Sequence, residues 1–249
     1  MHFLFDSVDH KNILFDELST GGMVQANQHL IVSDGEMMVL DPGGHKVHTK
    51  LFAQMASVAP INQLRHIFFS HQDPDIVAAT NAWLMMTDAN AYISRLWTRF
   101  VMHFGIDDLV TERIHPIPDG GMKIVVGATE MMILPAHFLH SPGNFHVYDP
   151  RSKILYSGDL GASLDSGYRT VTDFAAHVPL MEGFHRRYMP DNKATKLWAA
   201  MVRDLDIEII APQHGAMLEG KEMVNQFLDW VVDVPCGIDL MSDVYRLPS

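Results

Sequence analysis

Phe69-Ser70-His71-Gln72-Asp73-Pro74-Asp75-Ile76-Val77-Ala78-Ala79 follows a short apolar run, Leu64 to Ser70, that reads as a β-strand. A helix is expected from about Ile76 to Thr87. Between strand and helix, His71, Asp73 and Asp75 alternate with Gln72 and Pro74. In an extended segment this period of two puts an imidazole and two carboxylates on one side. Like charges that close repel, and a bound cation would remove the repulsion. A second reading stays open at this point: Asp75 would cap the helix and Pro74 would mark its entry.

Outward from this stretch, β-rich segments alternate with helical ones. Gln28 to Asp41 reads as a hairpin around Ser33-Asp34-Gly35, and the first 45 residues read as β structure. Thr49 to Ala59 has helical spacing of Leu51, Phe52, Met55 and Val58, with Pro60 at its end. Ala91 to Ser94 reads as a strand and Leu96 to Phe104 as a helix. Thr129 to Leu134, Asn144 to Tyr148 and Lys153 to Ser157 read as strands, the last two paired across Asp149-Pro150-Arg151. Lys193 to Leu205 and Lys221 to Val232 read as helices around a strand at Glu208 to Ala211. Polar residues recur where strands end, at Asp41, His71, Asp159 and His214, which is where ligand sites collect in mixed α/β folds.

The chain of 249 residues has the length of one well-buried domain and contains no Ser-, Gly- or Pro-rich linker. Lys and Arg number 18 against 30 Asp and Glu, a formal charge of −12 that disfavours nucleic acid and anionic lipid. Cys236 stands alone, so neither an internal disulfide nor a thiolate metal site can form; any metal must be held by nitrogen and oxygen. Met1 to His10 lacks the basic and apolar regions of a signal peptide, and no uninterrupted apolar run is long enough for a membrane span. The expected location is the cytoplasm. Most of the 15 histidines are expected to be surface or core groups, and the 17 methionines core packing.

Three further segments carry the same chemistry. His140 sits in FLHSPGNFHVYDP (138–150), Asp159 in ILYSGDLGA (154–162) and His214 in APQHGAM (211–217). Together with FSHQDPDIVAA (69–79) and the upstream ANQHLIVSDGEMMVLDPGG (26–44), they resemble the metallo-β-lactamase superfamily. Within it, they resemble the diiron domain of flavodiiron proteins, and especially the oxygen-binding diiron proteins that keep this domain without flavodoxin. The resemblance spans about residues 25 to 220. It implies an α/β fold, an αββα sandwich of the metallo-β-lactamase type, as a single domain over residues 1–249 with no flavodoxin domain and no FMN.

By the same resemblance, His71, Asp73 and His140 would hold one metal, Asp75 and His214 a second, and Asp159 would bridge them. Two departures bear on this. Asp73 stands where flavodiiron proteins carry Glu, about 1.5 Å shorter in reach. Ile76 stands where they carry a ligand His, which leaves the second metal a ligand short. His177, His185 and Tyr168 are candidates to fill that gap. Zinc hydrolases of the superfamily show H-x-H-x-D-H, and here Asp73 and Ile76 replace its second and last His. The oxygen-rich set shifts preference toward two iron ions, with zinc or manganese as alternatives.

Two ferrous ions together give two electrons, enough to take dioxygen to a metal-bound peroxide, whereas reduction to water needs four. With no flavin in the chain, further electrons would come from another protein. The resemblance therefore implies a binuclear non-haem iron protein that binds dioxygen or NO as an oxygen or iron sensor, read by a signalling partner such as a chemoreceptor. The alternatives are an oxygen or NO reductase with an external donor, a metal-dependent hydrolase, and a degenerate domain with structural metal only. Flavodiiron proteins commonly form dimers that bring FMN to iron, a reason this chain lacks, and a homodimer is left open.

Overall fold

A computed structural model describes residues 1–164 and 166–248. The chain begins with β1 (His2–Asp6), β2 (His10–Phe15), β3 (Gln28–Ser33) and β4 (Glu36–Leu40), an antiparallel meander. Helix α1 (His45–Val58) crosses over to β5 (Leu64–Phe68). Two short helices, α2 (Pro74–Val77) and α3 (Thr80–Met86), lead to β6 (Asn90–Ser94), and α4 (Thr98–Val101) leads to β7 (Ile114–Ile117). Strands β4 to β7 pair in parallel, as helix crossovers require, so β1 to β7 form one sheet in chain order.

The second half opens with β8 (Met122–Val126), β9 (Thr129–Pro135), β10 (Phe145–Asp149) and β11 (Ile154–Tyr156). Helices α5 (Phe174–Tyr188) and α6 (Asn192–Val202) precede β12 (Ile209–Ala211) and β13 (Leu218–Glu219), and α7 (Lys221–Asp233) follows. The second sheet runs in the order β13-β12-β11-β10-β9-β8.

The two sheets face each other over a shared apolar layer. Leu14, Ile31, Met38 and Phe68 from the first meet Met131, Ile133, Phe145 and Val147 from the second. Outside the first sheet, Val47, Leu51 and Met55 of α1 and Trp83 of α3 close a second core. Outside the second sheet, Trp198, Phe227, Leu228 and Val231 close a third. Each such fully buried side chain contributes roughly 1.5–3 kcal/mol relative to exposure. Helix, sheet, sheet, helix is the expected four-layer sandwich, and burial on both faces explains why β3, β4 and β10 to β12 read as nearly continuous apolar runs.

Several expectations shift in detail. The helix expected from Ile76 to Thr87 is broken into α2 and α3, where the Thr80 hydroxyl donates to the Val77 carbonyl at 2.5 Å. The helix expected from Leu96 to Phe104 is only one α-helical turn, followed by a 3-10 turn. Helix α5 and strands β7 and β8 had no counterpart in the sequence reading. Strand β13 was likewise not expected, β1 and β2 lie in the stretch expected as β structure without bounds, and the other strands and helices agree to within a few residues at their ends.

Candidate metal centre

Four strand ends converge at one edge of the sandwich. His71 follows β5, His140 follows β9, Asp159 follows β11 and His214 follows β12. The edges of the two sheets are tied there by main chain. Phe145 N donates to Ser70 O at 2.9 Å, and Asn27 N to Gln213 O at 2.6 Å. The Asn27 amide also donates to Pro212 O and Gly215 O, 2.9 Å each, and so fixes the loop that carries His214.

All six sequence-derived candidates meet at this edge. His71, Asp73 and His140 each offer a donor atom within 4.8 Å of the other two. His71 Nε2 lies 3.6 Å from Asp73 Oδ2 and 3.7 Å from Asp159 Oδ2. His140 Nε2 lies 3.5 Å from Asp73 Oδ2 and 2.8 Å from Asp159 Oδ2. On the other side, His214 Nε2 is 3.4 Å from Asp159 Oδ1 and 3.7 Å from Asp75 Oδ2. Asp159 thus turns one oxygen to each group.

The local conformation differs from the extended segment expected between 71 and 75. Asp73 occupies the N-cap position of α2, Pro74 opens the helix and Asp75 lies in its first turn. The capping alternative is also revised: Asp73 holds the cap position, yet its side chain makes no capping bond. Its carboxylate turns toward His71 and His140 instead.

The electrostatics follow from burial and charge. His71 and Asp159 are almost fully buried. Burial alone would lower His71, but the Asp73 and Asp159 carboxylates outweigh it and hold the imidazole up at about 9. Burial alone would raise Asp159, but His140, His71 and His214 outweigh it and hold the carboxyl well below its ordinary range. Asp75 is raised, chiefly by burial, with His214 opposing. In the absence of a cation, these shifts show protons and carboxylates compensating each other.

The residues fit a pair of metal ions. Asp159 Oδ1 is buried and accepts no hydrogen bond, although a buried carboxylate oxygen needs a partner. The outer nitrogens of two histidines are anchored so that Nε2 faces inward. His214 Nδ1 donates to Gln25 O at 2.8 Å, and His71 Nδ1 is 2.9 Å from Ser70 Oγ. Such partners fix the tautomer and the ring plane of metal-ligating histidines. Behind them, Ser70 N donates to Asp41 Oδ1 at 2.7 Å, and burial pushes Asp41 up to about 6.

Of the three candidates for the ligand gap, His185 is fully engaged, whereas His177 keeps a buried Nε2 without a hydrogen-bond partner. Gly161 N donates to His185 Nε2 at 2.9 Å and His185 Nδ1 donates to Met181 O at 2.8 Å, so this ring has no free nitrogen. His177 Nδ1 and the Tyr168 hydroxyl bond each other at 2.7 Å. Ile76 itself is fully buried in the core under α1 and α3. Sequence reasoning missed Gln72, Ser141 and the Gln25 carbonyl as supports of the site. The first two had no signal beyond adjacency to a ligand, and a backbone carbonyl has none.

A two-sheet sandwich with nitrogen and oxygen donors gathered at its strand ends is the architecture of metallo-β-lactamase-like domains. The chain belongs to the ODP family of beta-lactamase domains, whose model matches residues 24–215. It is similar to the structure of a peroxy diiron species of the chemotaxis sensor ODP, with 42% identity and a TM-score of 0.88 over 98% of this chain and 100% of that one. It is similar also to the apo state of the chemotaxis sensor ODP from T. denticola, with 40% identity and a TM-score of 0.87 over 98% of each chain. A flavo di-iron protein from Thermotoga maritima shares the fold at 17% identity, TM-score 0.76, covering 93% of this chain and 60% of that one. A Methanocaldococcus jannaschii protein is 28% identical over 116 residues, 45% of this chain but only 29% of that relative's length. Among the described residues, no helix is long and apolar enough to cross a membrane.

Proposed function

We propose that this protein is a diiron oxygen sensor: His71, Asp73 and His140 hold one iron, Asp75 and His214 hold the other, and Asp159 bridges them. The observation that carries the reading is the division of Asp159, with Oδ2 facing His71 and His140 and Oδ1 facing His214. Three carboxylates beside three imidazoles form an oxygen-rich set that suits iron better than the nitrogen-rich sets of zinc hydrolases. The likeness to a peroxy diiron species of a chemotaxis sensor, at 42% identity over nearly the whole chain, supports both the metal and the sensory role.

A pair of ferrous ions, when bound by these residues, would supply the redox chemistry that dioxygen binding needs. The chain's own residues hold and shield them. The carboxylates of Asp73, Asp75 and Asp159 would offset the positive charge of the metal pair. Gln25 O and Ser70 Oγ hold the His214 and His71 rings in place. Phe184 and Tyr188 of α5 stand edge-on to the His140 ring at 6.2 and 5.7 Å and pack against it. A signalling partner in the cytoplasm, such as a chemoreceptor, reads the state of the centre.

Anaerobic loading with ferrous ion followed by exposure to air tests the proposal. The expected result is two irons per chain and a charge-transfer absorption that lasts long after exposure. Repeated oxygen uptake with rapid bleaching would replace sensor by reductase, and a fully iron-loaded protein with no spectral response would overturn both.

A further inference from the structure

We propose that Gln72 is a positioning residue that holds Asp73 to metal binding through one oxygen, with Ser141 as its anchor. This rests on the reading of the cluster as a metal centre. The two oxygens of Asp73 stand in unlike surroundings. Oδ2 faces His71 Nε2 at 3.6 Å and His140 Nε2 at 3.5 Å. Oδ1 accepts a hydrogen bond from Gln72 Nε2 at 3.0 Å. Gln72 Oε1 in turn accepts from Ser141 Oγ at 2.5 Å.

The direction of this chain is fixed by chemistry. A carboxylate only accepts, so the amide must present its NH2 group to Asp73 and its oxygen to the serine hydroxyl. The reversed amide would set two oxygens against each other. Nor is Asp73 held by the helix it opens. Ile76 N and Val77 N bond to the Asp73 main-chain oxygen, at 2.9 and 3.0 Å, and no capping bond reaches the side chain. Gln72 is therefore what orients the carboxylate from behind.

Ser141 is a firm anchor. Its carbonyl accepts from Phe138 N at 2.6 Å and from Asn144 N at 3.1 Å, within the same loop that presents His140. The relay thus joins the loop after β5 to the loop after β9, which belong to opposite sheets. A carboxylate free to rotate can close on a metal with both oxygens and consume a coordination position. With Oδ1 bonded to Gln72, Asp73 supplies Oδ2 alone, and a position at the first metal stays free for an exogenous ligand.

Cobalt(II) loading of the full chain tests this, because the intensity of its visible d–d bands falls as coordination number rises. Gln72→Leu, close in volume and without hydrogen bonds, is expected to lose d–d intensity at the first equivalent and to weaken its binding about tenfold, the size typical of losing a partner behind a ligand. The melting temperature of the metal-free protein should stay near that of the parent. Ser141→Ala should shift the spectrum in the same direction by less. Parental spectra in both variants, or a fall in metal-free melting temperature with an unchanged spectrum, would overturn the role of Gln72. If Gln72→Leu does not fold, the spectrum of Ser141→Ala decides. Failure of the unaltered protein to bind two cobalt ions would instead sink the reading of the centre itself.

Discussion

His140 Nε2 lies 2.8 Å from Asp159 Oδ2, and this contact joins the loop after β9 to the loop after β11 inside the second sheet. The other oxygen of Asp159 faces His214 without a hydrogen bond. One carboxylate thus serves two groups of donors, and no other residue in the cluster does so.

Asp159→Asn replaces one of those oxygens by an NH2 group that cannot bind a metal. The variant should retain at most one metal per chain where the parent retains two. Elemental analysis after loading and desalting checks this, and two tightly held ions in the variant would remove Asp159 from the bridge.

Gly215, directly after His214, has φ +83°, and a Cβ there would come within 2.1 Å of Ser163 O. Gly215→Ala should cost at least about 2 kcal/mol through strain and clash and should displace His214. Gly22→Ala, with nothing within 4 Å of the added carbon, serves as the matched control. Urea unfolding of the two metal-free variants should separate them clearly.

His146 is fully buried, and Trp198 Nε1 donates to its Nδ1 at 3.0 Å. Burial, helped by the charge of His71, pushes this imidazole down to about 3. The unfolded chain takes up a proton near pH 6.5, whereas the folded chain resists until near pH 3. Stability from this group is therefore intact above pH 6.5 and falls as pH drops toward 3. The loss across this window is on the order of several kcal/mol. His146→Gln should be less stable at pH 7 but should show a shallower loss on acidification in urea titrations. An unchanged slope would show that other groups set the acid limit.

Ile76→His restores the residue of the flavodiiron pattern, but at a position that is fully enclosed by the core under α1 and α3. The imidazole should destabilise the metal-free protein by roughly 2–4 kcal/mol as a buried polar group. The cobalt spectrum should not change. A new nitrogen ligand in the spectrum, with stability regained on loading, would show that α2 can turn this residue toward the second metal.

Three of the six candidate ligands stood out because each follows a strand whose apolar run ends abruptly: Phe68 before His71, Tyr156 before Asp159, Ala211 before His214; Asp73, Asp75 and His140 were assigned through the resemblance. The sandwich itself followed from the resemblance those motifs carry; the apolar runs alone are only compatible with it. Helix α5 was not legible, and its composition explains why. It carries Pro179 and Gly183 inside, and its buried stripe is His177, Met181 and His185, so periodicity counted two of the three inward positions as polar. Strand β7 contains Pro116, which is tolerated because β7 lies at the edge of its sheet. The break between α2 and α3, where Thr80 donates to the Val77 carbonyl, is too local to show as a change of period. Ile76 looked like a vacancy at the second metal; its place in the core makes it first a packing residue.

The order in which the chain contributes its donors has a consequence for assembly. His71 belongs to the first sheet, and the last donor, His214, comes near the end of the second. During synthesis, a half-made chain can offer only His71, Asp73 and Asp75, without Asp159, the proposed bridge. With the proposed ligand set, the full set of donors is assembled only once both halves have folded and met, so a nascent chain would not yet offer it.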